Sequence, residues 1–320
     1  MNRSVQFRSP LAEELQGFLK FKRALGYGYL RPEWSLREFD RFLQAYAARN
    51  RRWRFDQAAL AWLSSKPQRK PISVSRDATV LRQLTVYLHR LPGHKRFPEP
   101  LWPQLPTEAS FVPYSLSKTD ILRLVALCAD LKPPFRRVLY RTLILLLYCT
   151  GLRFGEALRL RLRDVNPRSD VLFVETFKGR ARWVPFHRSL SEELDHYLTA
   201  RRTYAPCGPD NRLFVGANHK TLPHKTASDA INGLFRKAGL KPARGRTGAR
   251  PYDLRHAFAV HRLTQWYNEG VDLHSRLPWL SAYMGHTDII GTETYLHATP
   301  LLLTVAGNRL RHRYGFGEDS

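Results

Sequence analysis

The run from Phe135 to Thr150, FRRVLYRTLILLLYCT, constrains the fold more than any other stretch of the 320 residues. Its apolar side chains, Val138, Leu139, Leu143, Ile144, Leu145, Leu146 and Leu147, fall on almost every side of a helix, so a helix here has to be covered all round. Its most apolar part, Leu143 to Cys149, is too short to span a bilayer and follows Arg141 closely. The run is therefore predicted to be the buried central helix of a globular domain, stopped at Gly151.

What must cover it can be read on both sides. Ser117 followed three residues on by Asp120 offers a capped helix start, leading through Ile121, Leu124, Val125 and Cys128. After Gly151 a further helix begins around Arg153 and Glu156, whose spacing puts them on one face. That pair reads either as an ordinary surface ion pair, the simpler account of the spacing alone, or as a carboxylate that orients a guanidinium. From Asp170 to Phe186 the period changes to that of strands: VLFVETF and ARWVPFH predict a hairpin with Lys178 at its tip. Helices are expected again over Ser191–Arg201 and Thr226–Ala238, followed by a basic glycine-containing loop up to Arg250.

Upstream, LPGHKRFPEPLWPQLP is rich in proline, which removes donors and forbids continuous helix. It divides the chain into an N-terminal domain of residues 1–107, with the proline-rich linker at 91–107, and a second domain of 108–320. In the first, helical periodicity predicts two helices within 11–48, broken at Gly26–Tyr29 and Pro32, a third over Phe55–Leu63 and a fourth over Val74–Leu91. The predicted class is mainly α with a small β-hairpin, an α+β fold.

Charge narrows the partner. Lys and Arg number 52 against 27 Asp and Glu, a net +25, and both domains share the excess, +12 in residues 1–107 and +13 in the rest. With 12% aromatic residues this favours a polyanion, nucleic acid above all, touched by both domains. Arg76 and Arg82 on the fourth helix, Arg180 on the hairpin, and Arg244, Arg246 and Arg250 in the loop are the expected phosphate contacts. Cys128, Cys149 and Cys207 form no CxxC pair and fit free thiols in a reducing compartment; the N-terminus has no apolar leader core. A soluble protein of the bacterial cytoplasm, at the nucleoid, is expected.

The stretch from Arg250 to Pro300 carries the chemistry: Arg255 beside His256, the turn Met284-Gly285-His286, and Tyr295 nine residues after that histidine. Transesterification at a phosphodiester passes through a pentacoordinate centre with extra negative charge. Planar guanidiniums, Arg153 and Arg255, can clamp it. Tyr295 supplies an oxygen nucleophile whose pKa of roughly 10 has to be offset by cations or a base. Lys178 can protonate the leaving 5′ oxygen, and His286 can donate to a phosphoryl oxygen or move the proton. No metal or cofactor is required. His256, adjacent to Arg255, is expected to point elsewhere as a packed histidine; Tyr283, Trp266, Tyr267 and Trp279 are expected to serve packing.

Arg153 in GLRFGEAL, Lys178 in FKGRARWVP, Arg255 in DLRHAFAVH, His286 in MGHTD and Tyr295 in TETYLH stand in the order and approximate spacing of the tyrosine recombinase (phage integrase-like) family. The chain resembles that family over about residues 117–300. The run WYNEGVDLHSRLPWLSAYMGH also resembles the branch carried by transposons and other mobile elements. The resemblance implies a core-binding (SAM-like) N-terminal domain ahead of a catalytic domain, a 3′-phosphotyrosine intermediate, and strand exchange without ATP. It also implies a tetramer on two synapsed double-stranded DNA sites, a monomer or weak dimer when free, with a C-terminal segment exchanged between neighbours; Leu301–Leu303, Val305, Arg309, Arg311 and Arg313 fit such a segment, or a helix packed on its own domain.

One position departs. Three residues before the second arginine the family usually has histidine, and Tyr252 stands here. A phenol can hydrogen-bond a phosphate but carries no positive charge. Type IB topoisomerase-like strand passage and a non-catalytic DNA-binding relative are the alternatives; a metal hydrolase lacks the HExxH pattern.

Overall fold

The computed structural model describes residues 6–65, 67–91, 113–175, 181–216, 219–245, 247–293 and 295. The chain divides into two compact units, Met1–Phe111 and Val112–Ser320.

The first unit is helical: α1 (Ala12–Ala24), α2 (Leu30–Arg49), α3 (Phe55–Ser64) and α4 (Pro71–Leu88). Gly26 and Tyr29, both at positive φ, turn the chain between α1 and α2. Pro32 does not break the helix as expected; it sits in the first turn of α2, where its missing N–H has no intrahelical partner to lose. Pro71 likewise opens α4, three residues before the predicted start, because its fixed φ suits a first helical position. Leu15, Phe18 and Leu19 of α1, Leu36, Phe39 and Leu43 of α2, Trp62 of α3 and Leu81, Leu84 and Leu88 of α4 form its core. Phe39 meets Phe55 and Trp62 edge-on, a favoured aromatic geometry. Arg76 and Arg82 lie exposed on α4.

The second unit contains α5 (Lys118–Leu127), α6 (Pro134–Thr150), α7 (Phe154–Arg159), α8 (Arg188–Arg202), α9 (His224–Lys237), α10 (Pro251–Asn268), α11 (Leu273–Met284) and the short α12 (Ile290–Glu293). The Ser117 hydroxyl accepts from the Asp120 N–H at 3.1 Å while the Asp120 carboxylate accepts from Ser117 N at 2.9 Å, so α5 starts in a capping box. The apolar run forms α6, and Leu139, Leu143, Ile144, Leu146 and Leu147 are buried in the unit's core. A small antiparallel sheet runs β1 (Val165–Asn166), β2 (Val171–Val174), β3 (Arg182–Pro185). β1 was not anticipated, since two residues are too few to show a period. Leu172 pairs with Val184 and Val174 with Arg182, and the first three of these are fully inside. The hairpin tip with Lys178 and Arg180, Arg246, nearly all of the proline-rich linker and the segment from 301 onward lie outside the described residues.

Trp279 was expected in the core and is instead 70% exposed, because the buried stripe of α11 is carried by Leu277, Leu280, Ser281 and Met284. Among the described residues no helix is long and apolar enough to cross a membrane.

Candidate active site

Two helices end in glycine, and the site is built on their ends. Gly151 closes α6 and Gly285 closes α11, at φ +61° and +69°. A helix end leaves carbonyls without intrahelical donors and carries partial negative charge. Here arginines supply those donors. Arg255, on the second turn of α10 and only 1% exposed, donates from Nη1 to the Gly151 carbonyl at 2.6 Å and from Nη2 to the Met284 carbonyl at 3.0 Å. Arg153 donates from Nη2 to the Gly285 carbonyl at 2.8 Å. Arg182 on β3 donates from Nε to the Tyr283 carbonyl at 2.8 Å.

Glu156 ties the arginines together. The pair it forms with Arg153 is no ordinary surface pair, since the carboxylate is 3% exposed. It accepts from Arg153 Nη1 at 2.9 Å, from the Arg153 backbone N–H at 3.0 Å, and from Arg182 Nη2 at 3.1 Å. Burial pushes its carboxyl up, but the hydrogen bonds and charge of Arg182 and Arg153 outweigh burial and hold it below the usual carboxylate value. The Arg153 side chain stays 41% exposed, so this guanidinium can still meet a phosphate.

His286 follows the α11 cap. Its Nε2 lies 2.7 Å from Arg255 Nη2 and its Nδ1 2.6 Å from Thr292 Oγ1. An arginine can only donate, so Nε2 is the acceptor and the ring proton is assigned to Nδ1, facing the threonine. Burial, then the charges of Arg255 and Arg153, depress its pKa to about 4, and the ring is neutral at neutral pH.

Tyr295 is 3% exposed. Its ring lies between two histidines, 5.1 Å from His256 and 6.1 Å from His286, nearly parallel to the latter. His256 is buried as expected, but it does not point elsewhere: adjacent helix positions are about a quarter-turn apart, and Tyr295 spans both. Burial first, then the Tyr252 phenol by its charge and by a hydrogen bond, push the Tyr295 phenol up to about 12, against the lowering influence of Arg255. Tyr252 itself is 46% exposed, at the start of α10. Tyr283, the other tyrosine near His286, has its hydroxyl committed to the Pro185 carbonyl at 2.8 Å and its ring stacked on Phe258.

The structure thus brings together Arg153, Arg255, His286, Tyr295 and Tyr252. Among the basic residues expected at phosphates, Arg250 caps α10 and pairs with the buried Asp253 at 3.2 Å, while Arg244 is exposed. Lys241 in the same loop is turned inward onto the Thr247 and Ala249 carbonyls. Arg182 was missed in the sequence. The signal that could have found it is strand parity: Arg182 shares a face with Val184, which is fully buried, whereas Trp183 between them is exposed.

Residues 115–301 match the phage integrase family. The chain is 32% identical to y4rB of Sinorhizobium fredii, named as an integrase/recombinase, over 96% of this chain and 98% of that protein. It is 30% identical to the tyrosine recombinase XerA of Pyrococcus furiosus over 62% of each. In fold it is similar to the XerH site-specific recombinase bound to a palindromic difH substrate in a post-cleavage complex, with a TM-score of 0.67, 17% identity, and 99% of this chain and 91% of that chain covered. It is also similar to the Tn1549 transposon integrase in complex with transposon right-end DNA, with a TM-score of 0.65, 16% identity, and 93% and 98% covered.

Proposed function

Because the chain belongs to the phage integrase family, we propose that it is a tyrosine-type site-specific DNA recombinase of a mobile genetic element. The observation that carries this reading is the seating of the buried Tyr295 against Arg255, which together with Arg153 is fixed on the carbonyls of two helix ends.

Arg153 and Arg255 hold the scissile phosphate and stabilise the charge that develops on its equatorial oxygens. Tyr295 Oη attacks phosphorus; the bond to the 5′ oxygen breaks and a 3′-phosphotyrosine bond forms. The departing 5′ oxygen takes a proton from Lys178. When Arg255 turns its Nη2 toward phosphate, His286 Nε2 is released as an acceptor for the phenolic proton. Attack by a second 5′ hydroxyl reverses these steps and frees Tyr295, so that bond energy is conserved without ATP. Tyr252 contributes a hydrogen bond and no positive charge. Arg76 and Arg82 in the first unit, with Arg180, Arg244, Arg246 and Arg250 in the second, contact the DNA backbone.

The first unit serves as a core-binding domain, and four chains act on two DNA sites while exchanging their C-terminal segments. The work takes place where the genome lies, in the bacterial cytoplasm. Relatives named for integration and recombination, and the fold likeness to a transposon integrase, support the mobile-element assignment.

The test uses nicked duplexes from the sequence flanking the region that encodes the chain, incubated in chelator beside Tyr295→Phe. A denaturation-resistant protein–DNA band is expected with the wild type and not with the variant, at equal DNA affinity. Tight binding by both with no band from either would leave a DNA-binding protein and overturn the enzymatic reading.

A further inference from the structure

Three successive carbonyls at the end of α11 accept from three different arginines: Tyr283 from Arg182, Met284 from Arg255 and Gly285 from Arg153. The recombinase reading gives roles to Arg255 and Arg153. Arg182 is the third member of the row and the reading has no use for it. Its side chain is only 9% exposed, it comes from a different element, and its guanidinium fills the space above Gly285 so closely that a Cβ there would fall 2.4 Å from Nη1. Its other edge faces the Glu156 carboxylate, the group that also orients Arg153.

We propose that Arg182 is a positioning residue for strand cleavage, a guanidinium that locks the returning strand of the hairpin to Glu156 and to the end of α11, and so fixes where Arg153 and His286 stand. The inference rests on the recombinase reading. Arg182 opens β3, directly after the connection that carries Lys178 four residues earlier in sequence. It touches Glu156 on α7 and the Tyr283 carbonyl two residues before the Gly285 carbonyl that receives Arg153. Arg182 therefore joins the strand that follows Lys178 in sequence, the helix start that carries Arg153 and the helix end that precedes His286. A lysine would keep the charge but cannot reach a carboxylate and a carbonyl with one planar fork.

Two measurements separate positioning from mere stabilisation. The first is the single-turnover rate of covalent adduct formation on a saturating pool of nicked duplexes of randomised sequence. Arg182→Met is expected to slow it about a hundredfold, the scale of a misplacement of order 1 Å, with DNA affinity within about threefold of wild type. The second is a carbon NMR titration of the Glu156 carboxyl, which needs no activity. Glu156 faces Arg153 and Arg182 directly, with Arg255 nearby, and across a small cavity Arg159, Arg161, Asp164, Glu175 and Arg212. Loss of Arg182 removes one of the cations that hold its pKa down, so its titration, and with it the acid limb of the cleavage rate, should move to higher pH. Arg182→Lys should return both toward wild type while the rate stays about tenfold low. A Met variant that cleaves within threefold of wild type, or an unmoved Glu156 titration, overturns the inference. A rate loss that only follows loss of folded protein, measured by thermal melting of the Met and Lys variants, does so too. A wild-type chain that forms no adduct overturns the recombinase reading instead, and with it a role for Arg182 in cleavage, while the titration still reports whether Arg182 holds the Glu156 carboxylate.

Discussion

At the scale of single residues the site holds Tyr295 protonated. Tyr295 is buried and pushed up to about 12, partly by its hydrogen bond with Tyr252 at the position where the family usually has histidine. Replacing Tyr252 by Phe removes that hydrogen bond and the repulsion between two phenolates, and the Tyr295 pKa should fall. At saturating DNA the alkaline rise of the cleavage rate should move to lower pH, with a gain of roughly threefold to tenfold near about pH 8. A curve moved up would mean that Tyr252 assists ionisation instead, and one left unmoved that it has no influence on the Tyr295 phenol. Arg153, Arg255, His286 and Tyr295 were legible in the sequence because their types suit phosphodiester chemistry and their order and spacing resemble those of the family, and the structure gathers them at one place. Arg182 and the contact of His256 with Tyr295 were not legible. Their partners lie far away in sequence, at Glu156 and Tyr283 for Arg182, and only the parity of a four-residue strand hinted that an arginine pointed inward.

At the scale of elements the site is a junction of helix ends. The apolar run predicted a buried helix, and that helix is α6, but no period says that its last carbonyl will receive an arginine from α10. Periodicity registers the faces of helices; their ends are set by caps and by what lies beyond, which is why α4 starts at Pro71 rather than Val74 and ends at Leu88 rather than Leu91. Gly285 concentrates this dependence. Its φ of +69° suits glycine, and a methyl group there would strike the Arg182 guanidinium at 2.4 Å. Gly285→Ala should destabilise the protein by about 1–3 kcal/mol from the left-handed backbone and local repacking. It should also slow cleavage by at least about tenfold, because the carbonyl that holds Arg153 and the histidine that follows it move together. Chemical denaturation and adduct assays at saturating DNA measure the two effects. A variant equally active once folded would show that the end of α11 supports the fold without aligning the site.

At the scale of the whole molecule the governing quantity is charge. The excess of +25 is divided almost evenly, +12 in residues 1–107 and +13 in 108–320, while the candidate cluster of Arg153, Arg255, His286 and Tyr295 lies wholly in the second unit. A first unit that served only to stabilise the second would have no need of such an excess, nor of arginines left exposed on the outer side of α4 while Val80, Leu81 and Leu84 are buried. Each phosphate neutralised releases condensed counterions, so the slope of log affinity against log salt counts the contacts, at about −0.9 for each on duplex DNA. If both units grip the backbone, the full chain should give a slope of about −6 to −9, and residues 112–320 alone, which contain their own core, a slope about half as steep. Specificity need not divide in the same way, because base contacts carry it while phosphate contacts carry affinity and register. Fluorescence anisotropy on one duplex across a salt series decides the matter. Equal slopes for the two proteins would show that the first unit makes no backbone contacts, and its surplus charge would then need another explanation, such as steering the encounter with DNA.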